Sequence, residues 1–288
     1  MRYAFVKEHR QVWSIALMCK VLEVAVSGFY HWLGRPPSKR SQENEKLTEQ
    51  ILMFHCGSRC TYGSPRIYKD LKAAGYRTSE NRVARLMKQK GIRGKAKRKF
   101  ITTTTSKHQR PRAENLVKQN FTMPEPNKLW VSDITSSATL EGWLYLAVIL
   151  DVFSRKVIGW SFSERLTDNV VLTALDMAKQ QRQTRTGLVH HSDQGSQYAS
   201  LDFRSSLQEL GITQSMSGKG NCYDNALAES FFATLKTEEA DTPYETRQQA
   251  TTSIFSYIET FYNPKRRHSS LTYLSPDDFE RLYLAKVA

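Results

Sequence analysis

Apolar residues change their spacing partway along the chain. Before about residue 92 they recur at helical intervals; beyond Pro124 they fall in short continuous runs. Residues 11–33 predict two short helices around a turn, with Trp13, Ala16 and Cys19 on the first. Ser27 is placed to cap the second, whose Phe29, Tyr30 and Trp32 pack back on it. The run Arg35-Pro36-Pro37-Ser38 ends that pattern. Leu47, Ile51 and Phe54 then predict a helix over 43–57. A helix-turn-helix pattern follows. Ser64 reads as an N-cap before Pro65, and Gly75 as a C-terminal stop. Ser79 caps the next helix, which runs to about Gly91 with Val83 and Met87 inward. Arg82, Arg85 and Lys88 recur every three residues on its other face, a shape suited to a major groove.

The second half predicts strands at Leu129–Thr135, in WLYLAVILDV and in KVIGWSFS, joined by turns too short for anything but antiparallel pairing. A helix beginning near Asp168, the short strand LVHHSD, a helix from Ser200 and the strand ITQSM come next. Helices over about Ala226–Lys236 and Thr246–Tyr262 close the pattern. The order βββαβαβαα describes a mixed α/β sheet with flanking helices. Trp130, Trp143 and Trp160 lie in strands and read as core.

Composition bounds the class. Hydrophobic residues are 40% and charged residues 24% of 288, as in globular chains. The longest apolar run, Trp143–Leu150, falls well short of the ~20 residues a membrane helix needs. The opening MRYAFVKEHR has no apolar signal core, so no export is expected. Cys19, Cys56, Cys60 and Cys222 suggest no disulfide framework, consistent with a reducing cytoplasm. His55, Cys56 and Cys60 amount to half a zinc site without a second half, and structural cysteines are the better reading.

Charge divides the chain where the apolar spacing does. Residues 1–122 hold 26 Lys and Arg against 8 Asp and Glu; residues 123–288 hold 16 against 20. A basic half joined to a mildly acidic half implies a polyanion-binding region attached to a different activity. Arg93, Lys95, Lys97, Arg98 and Lys99 form a basic cluster before a threonine tract, as in an extended linker that neutralises phosphates without reading sequence. The expected organisation is a helix-turn-helix-like segment over 1–38, a helical DNA-binding domain over 39–100, a basic linker over 101–122 and an α/β domain with C-terminal helices over 123–288.

Three acids of that last region stand out. Asp133 sits among apolar residues in the first strand, where a lone carboxylate is costly. Asp193 ends the fourth strand, the end at which open sheets bind ligands. Glu229 lies in the apolar helix NALAESFFATLK. Carboxylates suit Mg²⁺ or Mn²⁺, and two such ions can activate an attacking oxygen and stabilise a leaving one.

Between Asp193 and Glu229 stand 35 residues. With Asp133 on the first strand, this resembles the D,D(35)E motif of integrases and DDE transposases. Longer words agree: HSDQGSQY, GNCYDNALAESFFATLKTE, YLAVILDVFSRKVIGW and YNPKRRHSSLTYLSP resemble the OrfB-type catalytic subunit of the IS3 insertion-sequence family. The upstream YGSPRI and GYRTSENRVARLMKQKGI resemble that family's helix-turn-helix. The resemblance implies a ribonuclease-H-like core in which Asp133, Asp193 and Glu229 bind two Mg²⁺ or Mn²⁺ ions. It implies cleavage and strand transfer at the terminal inverted repeats of double-stranded DNA, by a homo-oligomer in the bacterial cytoplasm, near the nucleoid. It also implies a small upstream OrfA-type protein as fusion or partner.

The resemblance further gives Lys236, two helical turns after Glu229, a role holding terminal DNA near the metals. Asn225 reads first as an N-cap and second as a DNA contact. Of His190 and His191, alternation allows one near the acids, and His191 is expected there. Asp151 and Asp224 read as turn and loop residues. Arg267 and His268 stand equally as surface residues or as groups near DNA. A nuclease without joining activity, and a DNA-binding regulator with a decayed catalytic half, are the competing readings. The intact triad and Lys236 weigh against decay.

Overall fold

The computed structural model describes residues 1–96, 111–183, 186–218, 225–240 and 242–287. Lys97, Arg98, Lys99, the threonine tract, Cys222 and Asp224 therefore lie outside the described residues. The chain divides into two units, Met1–Met53 and Phe54–Ala288.

The first unit holds α1 (Arg2–His9), α2 (Ile15–Val21) and α3 (Val26–Gly34). They close on a small core of Val6, Met18, Cys19 and Phe29. At Gly28 a Cβ would stand 2.3 Å from the Tyr3 hydroxyl, so a larger residue there would displace the Tyr3 side chain. The sequence pattern missed α1, whose single buried side chain, Val6, leaves no periodic stripe to detect. Ser27 does not cap α3; Ala25 holds that position and makes no side-chain bond. Helix α4 (Lys39–Gly57) runs out of this unit.

In the second unit α5 (Ser64–Ala73) and α6 (Glu80–Gln89) form the helical pair. The cap of α5 is Gly63 rather than Ser64, so Pro65 comes one position later than expected. Ser79 does cap α6, accepting from Arg82 N at 3.3 Å. Val83, Leu86 and Met87 are buried, leaving Arg85 and Lys88 on the exposed side.

The sheet comprises β1 (Leu129–Thr139), β2 (Gly142–Asp151), β3 (Val157–Ser163), β4 (Val189–Ser192) and β5 (Thr213–Met216), in the order β3-β2-β1-β4-β5. β1–β2 and β2–β3 are antiparallel hairpins; β1–β4 and β4–β5 are parallel. Helices α7 (Asp168–Gln181) and α8 (Leu201–Glu209) cover one face through a core that includes Trp130, Ile149, Leu175, Phe203 and Met216. Gly159 lets α7 come close: a Cβ there would lie 2.2 Å from the Ala174 carbonyl oxygen. Helices α9 (Ala226–Glu238) and α10 (Arg247–Ser256) pack on β1 and β2.

Four features differ from the sequence pattern. Trp143 is exposed, near the start of β2 at the hairpin tip. The final helix widens into a π-helical turn at Tyr257–Tyr262. Beyond it Asn263 bonds both backbone polar groups of Val157, and α11 (Pro276–Val287) follows. The end of the expected linker packs on the sheet edge: Leu116 N donates to Ser215 Oγ at 2.9 Å, and Val117 is buried. An edge strand has unpaired backbone groups, and this segment covers some of them.

Candidate active site

Strand register brings the first two acids together. Leu129 pairs with Val189 and Val131 with His191 in the parallel β1–β4 ladder. Two residues further, on the same face, stand Asp133 and Asp193. Glu229 comes from above, on α9, which packs against β1 and β2. All three side chains are half-buried, between apolar packing and solvent.

Asp133 bears the electrostatic cost of this arrangement. Burial raises its pKa well above the ordinary carboxylate range, and the charges of Asp193 and Glu229 push it further. The Ile134 backbone N–H, donating to Oδ1 at 2.8 Å, and the charge of Lys236 pull it partway back. Burial also raises Glu229. Asp193 is held by a tight turn in which Gly195 N donates to its Oδ1 at 2.9 Å. A Cβ on Gly195 would sit 2.9 Å from that oxygen, so a larger residue would shift the Asp193 carboxylate. Lys236 is half-buried; burial lowers its pKa while the Asp133 charge opposes the fall.

Three carboxylates in a partly dry site are a hard-oxygen donor set of the kind Mg²⁺ and Mn²⁺ take. Among the described residues no three His, Cys, Asp or Glu side chains are close enough to share one ion. The acids are thus gathered around Asp133 without closing on one another. The unrelieved repulsion at Asp133 is what a cation would neutralise, so the donor set fits such a group.

The remaining candidates fall in several places. His191 is buried, its Nδ1 2.9 Å from Ser215 Oγ, on the Asp133 face of β4. His190 faces the other way, against Phe203 and Tyr198, where burial lowers its pKa to about 3 and keeps it neutral. Asp151 is wholly buried and accepts from the backbone N–H groups of Asn127 and Phe153, a turn-holding role; burial raises its pKa to about 6. Asn225 holds the N-cap position of α9 but makes no cap bond, and its buried Oδ1 has no partner among the described residues. Its backbone lies outside the extended conformation usual for a capping side chain.

Arg82 N joins the Ser79 cap, and Arg93 is exposed. Lys95 differs from a free phosphate contact, since its ammonium donates to the Glu238 carbonyl at 3.1 Å. Arg267 is likewise not loose on the surface: it donates to Asp70 Oδ1 at 2.5 Å and to the Tyr273 carbonyl at 2.8 Å. His268 is buried against Tyr262. His55 Nδ1 donates to the Tyr62 carbonyl at 3.1 Å, and no zinc set forms around Cys56 and Cys60 among the described residues. Sequence reasoning missed Tyr198. Its buried hydroxyl feels the charges of Asp133 and Asp193, and burial raises its pKa strongly. An aromatic five residues past Asp193 carried no periodic signal that would have marked it.

Known proteins share this plan. The Integrase core domain family matches residues 123–222, a second Integrase core domain family matches 210–276, and an HTH-like domain family matches 42–100. A 31 kDa protein of insertion element IS600 from Shigella sonnei is 44% identical over 267 residues, covering 92% of this chain and 98% of that one. Transposase InsF for insertion sequence IS3A of Escherichia coli K12 is 42% identical over 288 residues, covering 99% and 100%. Among solved structures, the simian T-cell lymphotropic virus intasome aligns at 17% identity with a TM-score of 0.47, over 80% of this chain and 74% of that one. Near-complete coverage of both partners at more than 40% identity places the chain in the IS3 family of insertion-sequence transposases.

Proposed function

We propose that this chain cuts and rejoins DNA at the ends of an insertion sequence, with Asp133, Asp193 and Glu229 as its catalytic, metal-binding acids. The observation that carries the assignment is the convergence on Asp133: Asp193 and Glu229 both raise its pKa, from a neighbouring strand and an overlying helix. Bound there, Mg²⁺ or Mn²⁺, two ions per site, would supply charge to activate an attacking oxygen and stabilise the leaving one. The chain's own groups do the rest. Asp133 and Asp193 present oxygens from one face of the sheet, and Glu229 completes the set from α9. Lys236, on the Glu229 side of α9, is suited to hold a terminal phosphate. A water at this site gives a nick; a DNA 3′-hydroxyl gives a joint.

Arg82, Arg85, Lys88 and Arg93, with Lys97, Arg98 and Lys99, are proposed to hold double-stranded DNA at the terminal inverted repeats. Asn225 and His191 are proposed as lesser contributors near the acids. Pairing two element ends calls for a homo-oligomer on DNA, and an OrfA-type protein is proposed as a further partner. No helix among the described residues is long and apolar enough to cross a membrane; the site of action proposed is the cytoplasm, on nucleoid DNA. The test is incubation with labelled element ends and Mg²⁺. Wild type is expected to yield nicked and joined products. Asp133→Asn, Asp193→Asn and Glu229→Gln should each lose both while still binding DNA. Full activity in any one of them removes that residue from the set, and nicking without joining favours a plain nuclease.

A further inference from the structure

The far end of α9 is tied to the helix-turn-helix segment by charge. Glu238, in its last turn, has a side chain only 6% exposed. It receives Arg266 through two bonds, Nε at 2.7 Å and Nη2 at 2.6 Å, and the Tyr257 hydroxyl at 2.8 Å. Arg66, on α5, adds a second cation at 3.4 Å. Glu239 takes Arg59 through Nε at 3.2 Å and Nη2 at 3.3 Å, and also accepts from Ser253. Lys95 reaches the Glu238 carbonyl from just beyond α6. A second strut lies alongside: the Tyr62 hydroxyl accepts from Arg267 N at 2.7 Å, and Arg267 pairs with Asp70 of α5.

The Glu238 carboxylate at their centre is buried, while Arg59 and Arg66 are 30% and 27% exposed and Asp70 16%, and together they join two parts with different tasks. Separating such a pair leaves the more buried partner, here the Glu238 carboxylate, short of a cation, so the pairing favours one docked geometry. Helix α9 is a single 13-residue rod. Glu229 lies nine residues before Glu238, about 13.5 Å along the axis at 1.5 Å per residue. One end of the rod thus bears the chemistry and the other is clamped to the DNA-reading helices.

We propose that Glu238 and Glu239, with Arg59, Arg66 and Asp70, are positioning residues. They fix the helix-turn-helix against α9 and so set how far from the bound terminal sequence the strand is cut. This rests on the function proposed above. A clamp of this kind determines where cleavage falls more than how fast it goes.

The test uses the full chain with Arg59→Gln, Arg66→Gln and Asp70→Asn combined, which loosens the docking and leaves α9 and its buried Arg266 intact. Cleavage of an end-labelled terminal repeat is mapped at nucleotide resolution. The expected result is a spread of cut positions in place of one, with total nicking within about twofold of wild type. An unshifted, single cut position would overturn the proposal, as would a fall in yield that only tracks the folded fraction. Hydrogen exchange gives a second reading that needs no cleavage: the last turn of α9 and helix α5 should exchange faster in the variant, and β1 should not. Unchanged exchange there would also overturn it. Failure of the wild type to cut would count against the proposed function instead, leaving the exchange result to decide the clamp.

Discussion

Replacing Asp133 by Asn should stabilise the metal-free protein while abolishing its chemistry. Most substitutions of a half-buried strand residue destabilise, so the sign is diagnostic. Asn keeps the shape and an oxygen that can accept from Ile134 N, as Asp133 Oδ1 does. It removes the charge that Asp193 and Glu229 repel. At an effective dielectric near 20, a like charge ~6 Å away costs roughly 2–3 kcal/mol. Two such neighbours, offset by the attraction to Lys236, leave a net gain on the order of 1–3 kcal/mol. For a unit of this size each kcal/mol moves Tm by roughly 2–4 °C.

The pH dependence has a definite sign. The folded carboxyl pKa is raised, so the folded state holds a proton the unfolded state releases. Wild-type stability therefore falls as pH rises from the ordinary carboxylate value through the raised one, and the penalty is complete above it. Asp133→Asn should gain over wild type in that upper range and match it in acid, where both side chains are neutral. Added Mg²⁺ should reverse the order, since a ligand at a hundred times its Kd stabilises by about 2.7 kcal/mol and the variant binds it less well. Thermal denaturation with chelator and with Mg²⁺, at several pH values, reads all of this. A variant less stable than wild type in chelator at neutral pH would refute the argument that Asp133 carries unrelieved repulsion.

Three further outcomes are expected. Glu238→Gln leaves Arg266 buried without its anion and should cost about 3–5 kcal/mol in chemical denaturation. Arg266 holds the Glu238 pKa down, so the wild-type contribution is present above the ordinary carboxylate value and fades as pH falls through the depressed one. The variant should accordingly lose that acid limb, and an unaltered limb would contradict the pairing. Arg85→Gln and Lys88→Gln, on the exposed side of α6, should each lower the slope of log affinity against log salt by about 0.9 on terminal-repeat DNA, one phosphate contact apiece. An unchanged slope puts that face elsewhere than on DNA. Gly159→Ala drives a methyl to 2.2 Å from the Ala174 carbonyl, and should destabilise by at least the ~1–3 kcal/mol of ordinary overpacking. A neutral result by thermal denaturation would mean α7 moves off β3 more easily than its packing implies.

The parts legible in the sequence are those set by local pattern. The β1–β2 and β2–β3 hairpins follow from strand runs separated by short turns, and the observed register pairs Thr139 with Gly142 directly across the first. Val83 and Met87 face inward on α6 as their spacing requires. What was not legible depends on partners remote in sequence. Arg66 and Glu238 are 172 positions apart, and Arg59 and Glu239 are 180. Nothing local to any of these side chains marks its distant partner. Arg267 looked like an exposed cation for the same reason; its partner Asp70 is 197 residues away. The π-helical turn was hidden because Tyr257, Ile258, Phe261 and Tyr262 are buried and apolar, a pattern that reads equally well as ordinary helix.

The 35-residue interval between Asp193 and Glu229 acquires a physical meaning from the topology. After Asp193 the chain enters α8, which packs on the Trp130 face through Phe203 and Leu207. It returns as β5 at the sheet edge, paired with β4. It then crosses to α9, which rests on β1 and β2 where Asp133 lies. The interval is therefore the length of chain needed to cover one face, form the edge strand and come back over the other. Spacing of this kind reflects the path and would be the same whatever the third residue was. The proposed chemistry depends on which side chain arrives: Glu229, in the first turn of α9, comes near enough for its charge to act on Asp133, and Lys236 follows on the same side two turns later. A carboxylate moved one position along α9 would keep nearly the same interval and turn about 100° away from Asp133, so the face on which it lands, rather than the count, is what the site requires.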